Sequence, residues 1–193
     1  MDSKQEAELI SGILNGQHNL FAEVVRQHQQ LVYTTCLGFT HNPQEAEDLS
    51  QEVFITVFQH LINFKGQSKL STWLYRISIN TSLNHLRNRK KKSFFKRFEE
   101  LIATDRLEMA SKQASLADNP EQKLILNQEE EAIQNAIESL SKNQRIAFTL
   151  SKYDDLSQGE IAEIMQISIG AVEQHLQRAK ANLRKKLSIH YIK

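Results

Sequence analysis

Cysteine occurs once in the 193 residues, at position 36. An internal disulfide is therefore excluded, and the chain suits a reducing, cytoplasmic setting. The surroundings of Cys36, LVYTTCLGF, are apolar, which reads as a small buried hydrophobe rather than a redox thiol. Proline is nearly as scarce, at two residues, and glycine numbers six. Few positions can break a helix, while Leu, Ile, Glu, Gln, Lys and Ala abound, so the expected fold class is all-α. No apolar run approaches the length that crosses a bilayer, so direct membrane insertion is not expected. The opening MDSKQEAELI is too acidic and polar for a secretory signal.

A further absence is local. No Asp or Glu lies between Val53 and Phe98, and residues 53–98 carry a net charge of +10. The flanking blocks are acidic, −6 over residues 1–52 and −9 over 99–173, and a second basic block of +6 closes the chain at 174–193. The total of +1 hides this pattern. Two basic blocks kept apart by acidic ones suggest two separate contacts with a polyanion. Solvated basic faces, or a patch for an anionic membrane surface, would give the same totals, so the motifs inside each block decide.

What is present is mostly helix punctuation. Asn42-Pro43-Gln44-Glu45 offers an N-cap, a proline at the first helical position and a carboxylate in the first turn. The helix it opens should run to about Leu61 with Ala46, Leu49, Val53, Val57 and Leu61 on one face. Residues 19–39 give an earlier amphipathic helix, and 4–14 an opening one. Ser71 can cap a helix running to about Lys92. Order is then lost over 93–118, where SKQASLADN cannot sustain a helix, and this stretch reads as a linker. Asn119-Pro120 restarts a helix, and Ser141-Lys-Asn-Gln144 and Ser157-Gln-Gly-Glu160 have the pattern of capping boxes. The expected architecture is two small helical domains, 1–92 and 119–193, joined by a flexible linker over 93–118.

The second domain holds a helix-turn-helix. Ile161, Ala162 and Met165 are the apolar side of a short helix, Gln166-Ile167-Ser168 is a tight connection with Ser168 able to cap, and Val172, Leu176, Ala179 and Leu183 repeat at helical spacing. A short helix, a short turn and a longer helix make the DNA-binding motif, whose second helix enters the major groove. Its outer face shows Ile169, Glu173, Gln174, Gln177 and Arg178. Gln suits adenine, Arg suits guanine and Glu accepts from cytosine. Arg184, Lys185 and Lys186 lie further along, where phosphates are the expected partners.

The first basic block centres on FKGQSKLSTWLYRISIN, residues 64–80. At about 100° per residue, Leu70, Trp73, Leu74, Ile77 and Thr81 share one side, and Tyr75, Ile79, Leu83 and Leu86 the opposite one. One apolar side is enough to pack a small domain; the other either meets a partner or buries more core. Arg76, Asn80 and Arg87 form a polar seam beside Trp73. Rings next to cations suit single-stranded nucleic acid, where stacking is worth roughly 1–3 kcal/mol per base. The Asn80 amide offers a donor and an acceptor to a base edge. The loop Lys65-Gly66-Gln67-Ser68-Lys69 can wrap a base drawn from the stack, and Arg87, Arg89, Lys90, Lys91 and Lys92 can hold phosphates. No catalytic pattern is visible: the seven His are scattered without metal-ligand spacing, and no phosphate-cradling glycine loop or nucleophile motif is present. An enzyme, a small-molecule substrate and a cofactor are therefore not expected.

The run DLSQEVFITVFQHL, then F-x-G-x-S-x-L-x-TWLYRI-x-x-N and a basic tract, resembles region 2 of the ECF (extracytoplasmic-function) group of bacterial sigma factors. ESLSKNQRIAFTL and LSQGEIAEIMQISIGAVEQHLQRAKANLRKKL resemble region 4. The resemblance implies a polymerase-docking surface at Asp48, Gln51 and Glu52. It implies a minus-ten base pocket at Phe64, loop residues 65–71 (Lys65, Gln67, Ser68 and Lys69 among them), Ile77 and Asn80, and a strand-opening segment at Trp73, Tyr75 and Arg76. It implies minus-thirty-five readout by Glu173, Gln174, Gln177 and Arg178, with Ser168 at the start of the helix. One departure is Glu173, which stands where many members have a basic or small polar residue. The implied partners are core RNA polymerase, promoter DNA and, as for many relatives, an anti-sigma factor. A linker of about 26 residues spans roughly 25–30 Å when free and on the order of 90 Å when extended. Promoter elements one and a half turns apart are separated by roughly 50–55 Å, so the two domains should grip both only when stretched over polymerase. The alternative is a stand-alone helix-turn-helix regulator, which would need dimerisation and a palindromic site. A helical membrane-surface protein using RNRKKK gives no reason for the helix-turn-helix.

Overall fold

Most helix ends follow from the nearest few residues, and one, the start of α4, is met by a side chain far away in the sequence. The computed structural model describes residues 3–103 and 132–191, with side chains for 4–92 and 132–188. Helix α1 spans Ser3–Leu14, a 3₁₀ turn His18–Leu20 leads into α2, Phe21–Thr40, and α3 spans Pro43–His60. A second 3₁₀ turn, Leu61–Asn63, precedes α4, Leu70–Ala103. The later helices are α5 (132–138), α6 (Lys142–Tyr153), α7 (Gln158–Met165) and α8 (Ile169–Tyr191). No strand occurs among the described residues.

Three caps form as their residue types dictate. Asn42 Oδ1 accepts from the Glu45 amide at 3.1 Å, with Pro43 opening α3. Ser157 and Glu160 make both halves of a capping box, the Glu160 amide reaching Ser157 Oγ at 3.3 Å and the Ser157 amide reaching Glu160 Oε2 at 2.9 Å. Ser168 Oγ accepts from the Ala171 amide at 3.2 Å. Two expected caps do not form. Helix α4 already begins at Leu70, so Ser71 lies inside its first turn; the Leu70 amide instead donates to Glu6 Oε1 of α1 at 3.0 Å. Ser141 precedes α6 with no side-chain cap, and Gln144, its expected box partner, accepts from Asn182 of α8 at 3.1 Å. Helix α4 also continues past the boundary expected at 92, so the first part of the expected linker, 93–103, is helical, and the rest, 104–118, lies outside the described residues.

Two apolar clusters organise the fold. The first gathers α1 to α4 around Val24, Val32, Cys36, Ala46, Leu49, Val53, Val57, Leu61, Leu70 and Leu74. The α3 face expected from spacing is buried at every position, and burial pushes the Cys36 thiol up, which fits a packed hydrophobe. The second cluster crosses between the two halves of the chain. Phe39, Tyr75, Ile79 and Leu86 from α2 and α4 meet Ile146, Leu150, Ile161, Ile164, Val172 and Leu176 from α6, α7 and α8. The second apolar side of α4, open to two readings in the sequence, thus packs on the helix-turn-helix half. Gly38 permits the closest approach: a β-carbon there would meet Thr149 Cγ2 at 2.7 Å.

Candidate nucleic-acid interface

The basic block folds so that one helix, α4, carries two different faces. Leu70 and Leu74 sit in the first cluster, with Trp73 and Ile77 packed at its edge. Phe64, delivered by the loop before α4, stacks obliquely on Trp73 with ring centroids 5.3 Å apart. Both rings are half-buried, so each keeps an edge at the surface. Gly66 takes φ +65°, a left-handed conformation that a side chain resists, and this turns the loop. Lys65, Gln67 and Lys69 are exposed on it, and Ser68 is half-buried. Asn80 is exposed one turn beyond the half-buried Ile77. The structure therefore brings the ring pair, the basic loop, Ile77 and Asn80 to one surface.

From Ile77 onward this surface forms the wall of an open groove of about 500 Å³, with Asn80, Asn84, Asn88 and Lys92 on the α4 side and Glu52 and Thr56 on the α3 side. Arg87, Lys91 and Lys92 are exposed. Arg89 and Lys90 are placed differently. Arg89 bonds Glu45 at 3.2 Å and Glu138 at 2.7 Å, and Lys90 bonds Glu138 at 3.1 Å. Burial acts to raise the Glu138 carboxyl, but Lys90, Arg89 and Arg145 outweigh it and hold the group below its usual range. Two of the expected phosphate ligands are thus tied to α3 and to α5.

Tyr75 and Arg76 face away from the groove. Tyr75 is 9% exposed, inside the second cluster. Arg76 donates to the carbonyls of Ile164 at 3.0 Å and Glu163 at 2.8 Å, the last turn of α7. Those carbonyls lie in the last turn, where the negative end of the helix dipole sits, so a guanidinium is well matched there even though the Gln166 amide also reaches Glu163 O at 3.3 Å. Thr72 Oγ1 donates to Glu163 Oε1 at 3.2 Å beside them. Sequence reasoning missed Glu163, Glu138 and Arg145 as partners of this region, because the contacts span 48 to 106 positions and leave no local pattern. Arg145 is 5% exposed and donates to the Phe39 carbonyl at 2.7 Å.

The helix-turn-helix presents its other face. Helix α7 ends at Gln166 in the left-handed region, φ +56°, and the Ile167 amide closes back on Ala162 O at 3.1 Å. Val172, Leu176 and Ala179 bury one side of α8. Ser168, Ile169, Glu173, Gln174, Gln177 and Arg178 are exposed on the other, as are Arg184 and Lys185 further along. Gln177 Nε2 donates to Glu173 Oε1 at 3.2 Å, which aligns the two side chains. On α3, Asp48, Gln51 and Glu52 are all exposed along one helical face. No His, Cys, Asp or Glu cluster able to hold a metal occurs among the described residues, and no described helix is long and apolar enough to cross a membrane.

Comparison with known proteins gives two family-model matches: Sigma-70 region 2 over residues 24–92 and Sigma-70 region 4 over residues 130–183. The chain is 31% identical to RNA polymerase sigma-H factor of Pseudomonas aeruginosa, over 97% of this chain and 96% of that protein. It is 33% identical to ECF RNA polymerase sigma factor SigW of Bacillus subtilis, over 92% of this chain and 94% of that one. Among solved structures it is similar in fold to CnrH, determined in complex with the cytosolic domain of CnrY. The TM-score is 0.62 at 19% identity, covering 97% of this chain and 99% of that one.

Proposed function

The chain belongs to the sigma-70 family of RNA polymerase sigma factors, in its ECF group, and on that premise we propose how its parts divide the work of starting transcription. It is an alternative sigma factor that directs promoter-specific initiation, with core RNA polymerase and promoter DNA as its partners. Residues 1–92 act as the region 2 module and 119–193 as the region 4 module, and the connector over 93–118 opens on the last turns of α4. The observation that carries this division is the two-faced α4: the ring pair, basic loop and Asn80 share one open surface, while two of the three strand-opening residues, Tyr75 and Arg76, are held against the helix-turn-helix half and only Trp73 stays on the open side.

Asp48, Gln51 and Glu52 offer an acidic, exposed helix face to a basic surface of polymerase. Phe64, Ile77, Asn80 and loop residues 65–71 take an unpaired base of the minus-ten element, which offsets the few kcal/mol of its unstacking. Glu173, Gln174, Gln177 and Arg178 read the minus-thirty-five duplex. Such a protein works through binding energy and leaves the chemistry to polymerase. An anti-sigma protein is a further partner that the family suggests.

In the packed form Tyr75 is buried and the half-buried Arg76 guanidinium is occupied by the α7 carbonyls, so promoter engagement through these two residues requires α7 to leave α4. The contact is built to be separable. Each fully buried apolar side chain contributes roughly 1.5–3 kcal/mol, but each orphaned buried polar atom costs roughly 1–3 kcal/mol. His41 Nε2, Arg145 Nε and Asp154 Oδ2, all buried where α2 meets α6 and the turn that follows it, elsewhere in the same contact between the two halves, lack a partner among the described residues. Core polymerase that binds both modules over a longer span would supply the difference.

The test is run-off transcription with core polymerase and permanganate footprinting. Wild-type chain should start discrete transcripts, and Asn80→Ala should leave polymerase binding intact while lowering the reactivity of opened thymines about tenfold, the scale of one lost base contact. Unchanged opening would remove Asn80 from the pocket. A chain that binds a palindromic duplex as a dimer, and starts no transcript with polymerase, would favour the stand-alone regulator.

A further inference from the structure

Helix α4 starts without the punctuation that opens its neighbours. Helix α3 has Asn42 and Glu45, and α7 has Ser157 and Glu160. The first intrahelical bond of α4 runs from the Trp73 amide to the Lys69 carbonyl at 3.3 Å, which puts Lys69 at the N-cap. A lysine side chain cannot accept a hydrogen bond. Its charge, with that of Lys65 on the same loop, adds to the positive end of the helix dipole. No acid stands in the first turn of α4, because residues 53–98 contain none. The composition that suits this block to a polyanion thus leaves its own helix without a local cap.

The cap comes from α1. Glu6 Oε1 accepts from the Leu70 amide at 3.0 Å, across 64 positions of sequence. Glu6 is half-buried, and α1 is anchored behind it by Ile10 and Ile13, both buried in the first cluster with Leu61 and Leu70. Leu61 opens the 3₁₀ turn before the loop and Leu70 opens the helix after it, so the loop is pinned at both ends. Two acids of the other half also lie at this helix start. Glu163 accepts from Thr72 at 3.2 Å, and Ser157 first and then Lys69 hold the Glu160 carboxyl below its usual range. Both belong to α7 and leave with it when the halves part, whereas Glu6 stays with the loop.

We propose that Glu6 is a positioning residue for capture of the minus-ten base. By holding the first amide of α4, it keeps loop residues 65–69 and the Phe64–Trp73 ring pair in the shape that receives an unpaired nucleotide. The inference rests on the region 2 reading above and adds a residue that lies outside the matched stretch, 24–92. Without its cap the first turn of α4 frays. Capture then weakens by the fraction of time that the receiving shape is lost.

The experiment compares the full chain with Glu6→Ala and Glu6→Gln, both of which keep good helix formers in α1. It reads affinity for core polymerase, amide hydrogen exchange at Leu70, and permanganate reactivity on promoters carrying each of the four bases at the captured position. Glu6→Ala should leave polymerase affinity unchanged and speed exchange at Leu70. It should lower opening on the best promoter about five- to tenfold, the population shift from one lost helix cap, and flatten the ranking of the four bases. Glu6→Gln keeps an acceptor oxygen and should fall between Glu6→Ala and wild type. Unchanged opening and ranking in Glu6→Ala overturn the inference. So does Glu6→Gln as impaired as Glu6→Ala, or a parallel fall in polymerase affinity, which marks a general loss of structure. In each of those cases a loss of opening in Asn80→Ala leaves the region 2 reading standing. A wild-type chain that starts no specific transcript removes that reading and this inference together.

Discussion

At the scale of the residue, Asp154 shows how a local oddity becomes a measurable property. Thr35 Oγ1 lies 2.9 Å from the Leu31 carbonyl and 3.1 Å from Asp154 Oδ1. A hydroxyl has a single proton. If it goes to the Leu31 carbonyl, the second bond needs the carboxyl to donate, which means a protonated Asp154. Burial, with Asp155 adjacent, pushes this carboxyl up to about 7 despite the Thr35 bond. The sign follows from linkage. A carboxyl raised in the folded state contributes stability that is complete below the ordinary aspartate range, near pH 4. That stability is lost as pH rises through about 7. Burial and Arg145 hold His41 below its usual range, which works in the opposite direction on acidification. Comparison with Asp154→Asn isolates the carboxyl: wild-type thermal stability should fall relative to the variant between pH 4 and 7 and run parallel to it above. Parallel curves throughout would show that the proton is not held.

At the scale of the element, the sequence exposed helix positions and faces well wherever the determinant was local. The stripe on α3, the cap at Asn42, the box at Ser157 and the turn at Gln166 to Ser168 all depend on residues within one or two turns. Ser71 and Ser141 mislead because tertiary partners take over: Glu6 satisfies the Leu70 amide across the fold, and Gln144 is drawn to Asn182. The candidate site divides in the same way. Phe64, Trp73, Ile77 and Asn80 gather on one surface because they follow one another along a loop and a helix. The capture of Tyr75 and Arg76 by α7 was illegible, since nothing near them encodes it. The paired caps give a direct check. Ser157→Ala should cost about 1 kcal/mol, seen as a lower midpoint in urea unfolding, whereas Ser141→Ala should cost almost nothing. Equal losses would mean that Ser141 caps α6 in solution.

At the scale of the whole molecule, the two modules share one apolar cluster and one set of ion pairs, and two of the three strand-opening residues, Tyr75 and Arg76, are engaged in that contact. The account therefore requires a packed chain that opens when polymerase and promoter engage it. Gly38 and Thr149 allow the packed form to be locked. A β-carbon at 38 would sit 2.7 Å from Thr149 Cγ2, which places the two β-carbons no more than about 4 Å apart, within disulfide reach. The buried Cys36 is first replaced by serine, so that only one pair of thiols remains. The decisive measurement is run-off transcription by core polymerase with Gly38→Cys/Thr149→Cys in this background, oxidised and then reduced. The account predicts no promoter-specific transcript from the cross-linked chain and recovery on reduction. Equal initiation from the cross-linked and reduced chains would contradict it.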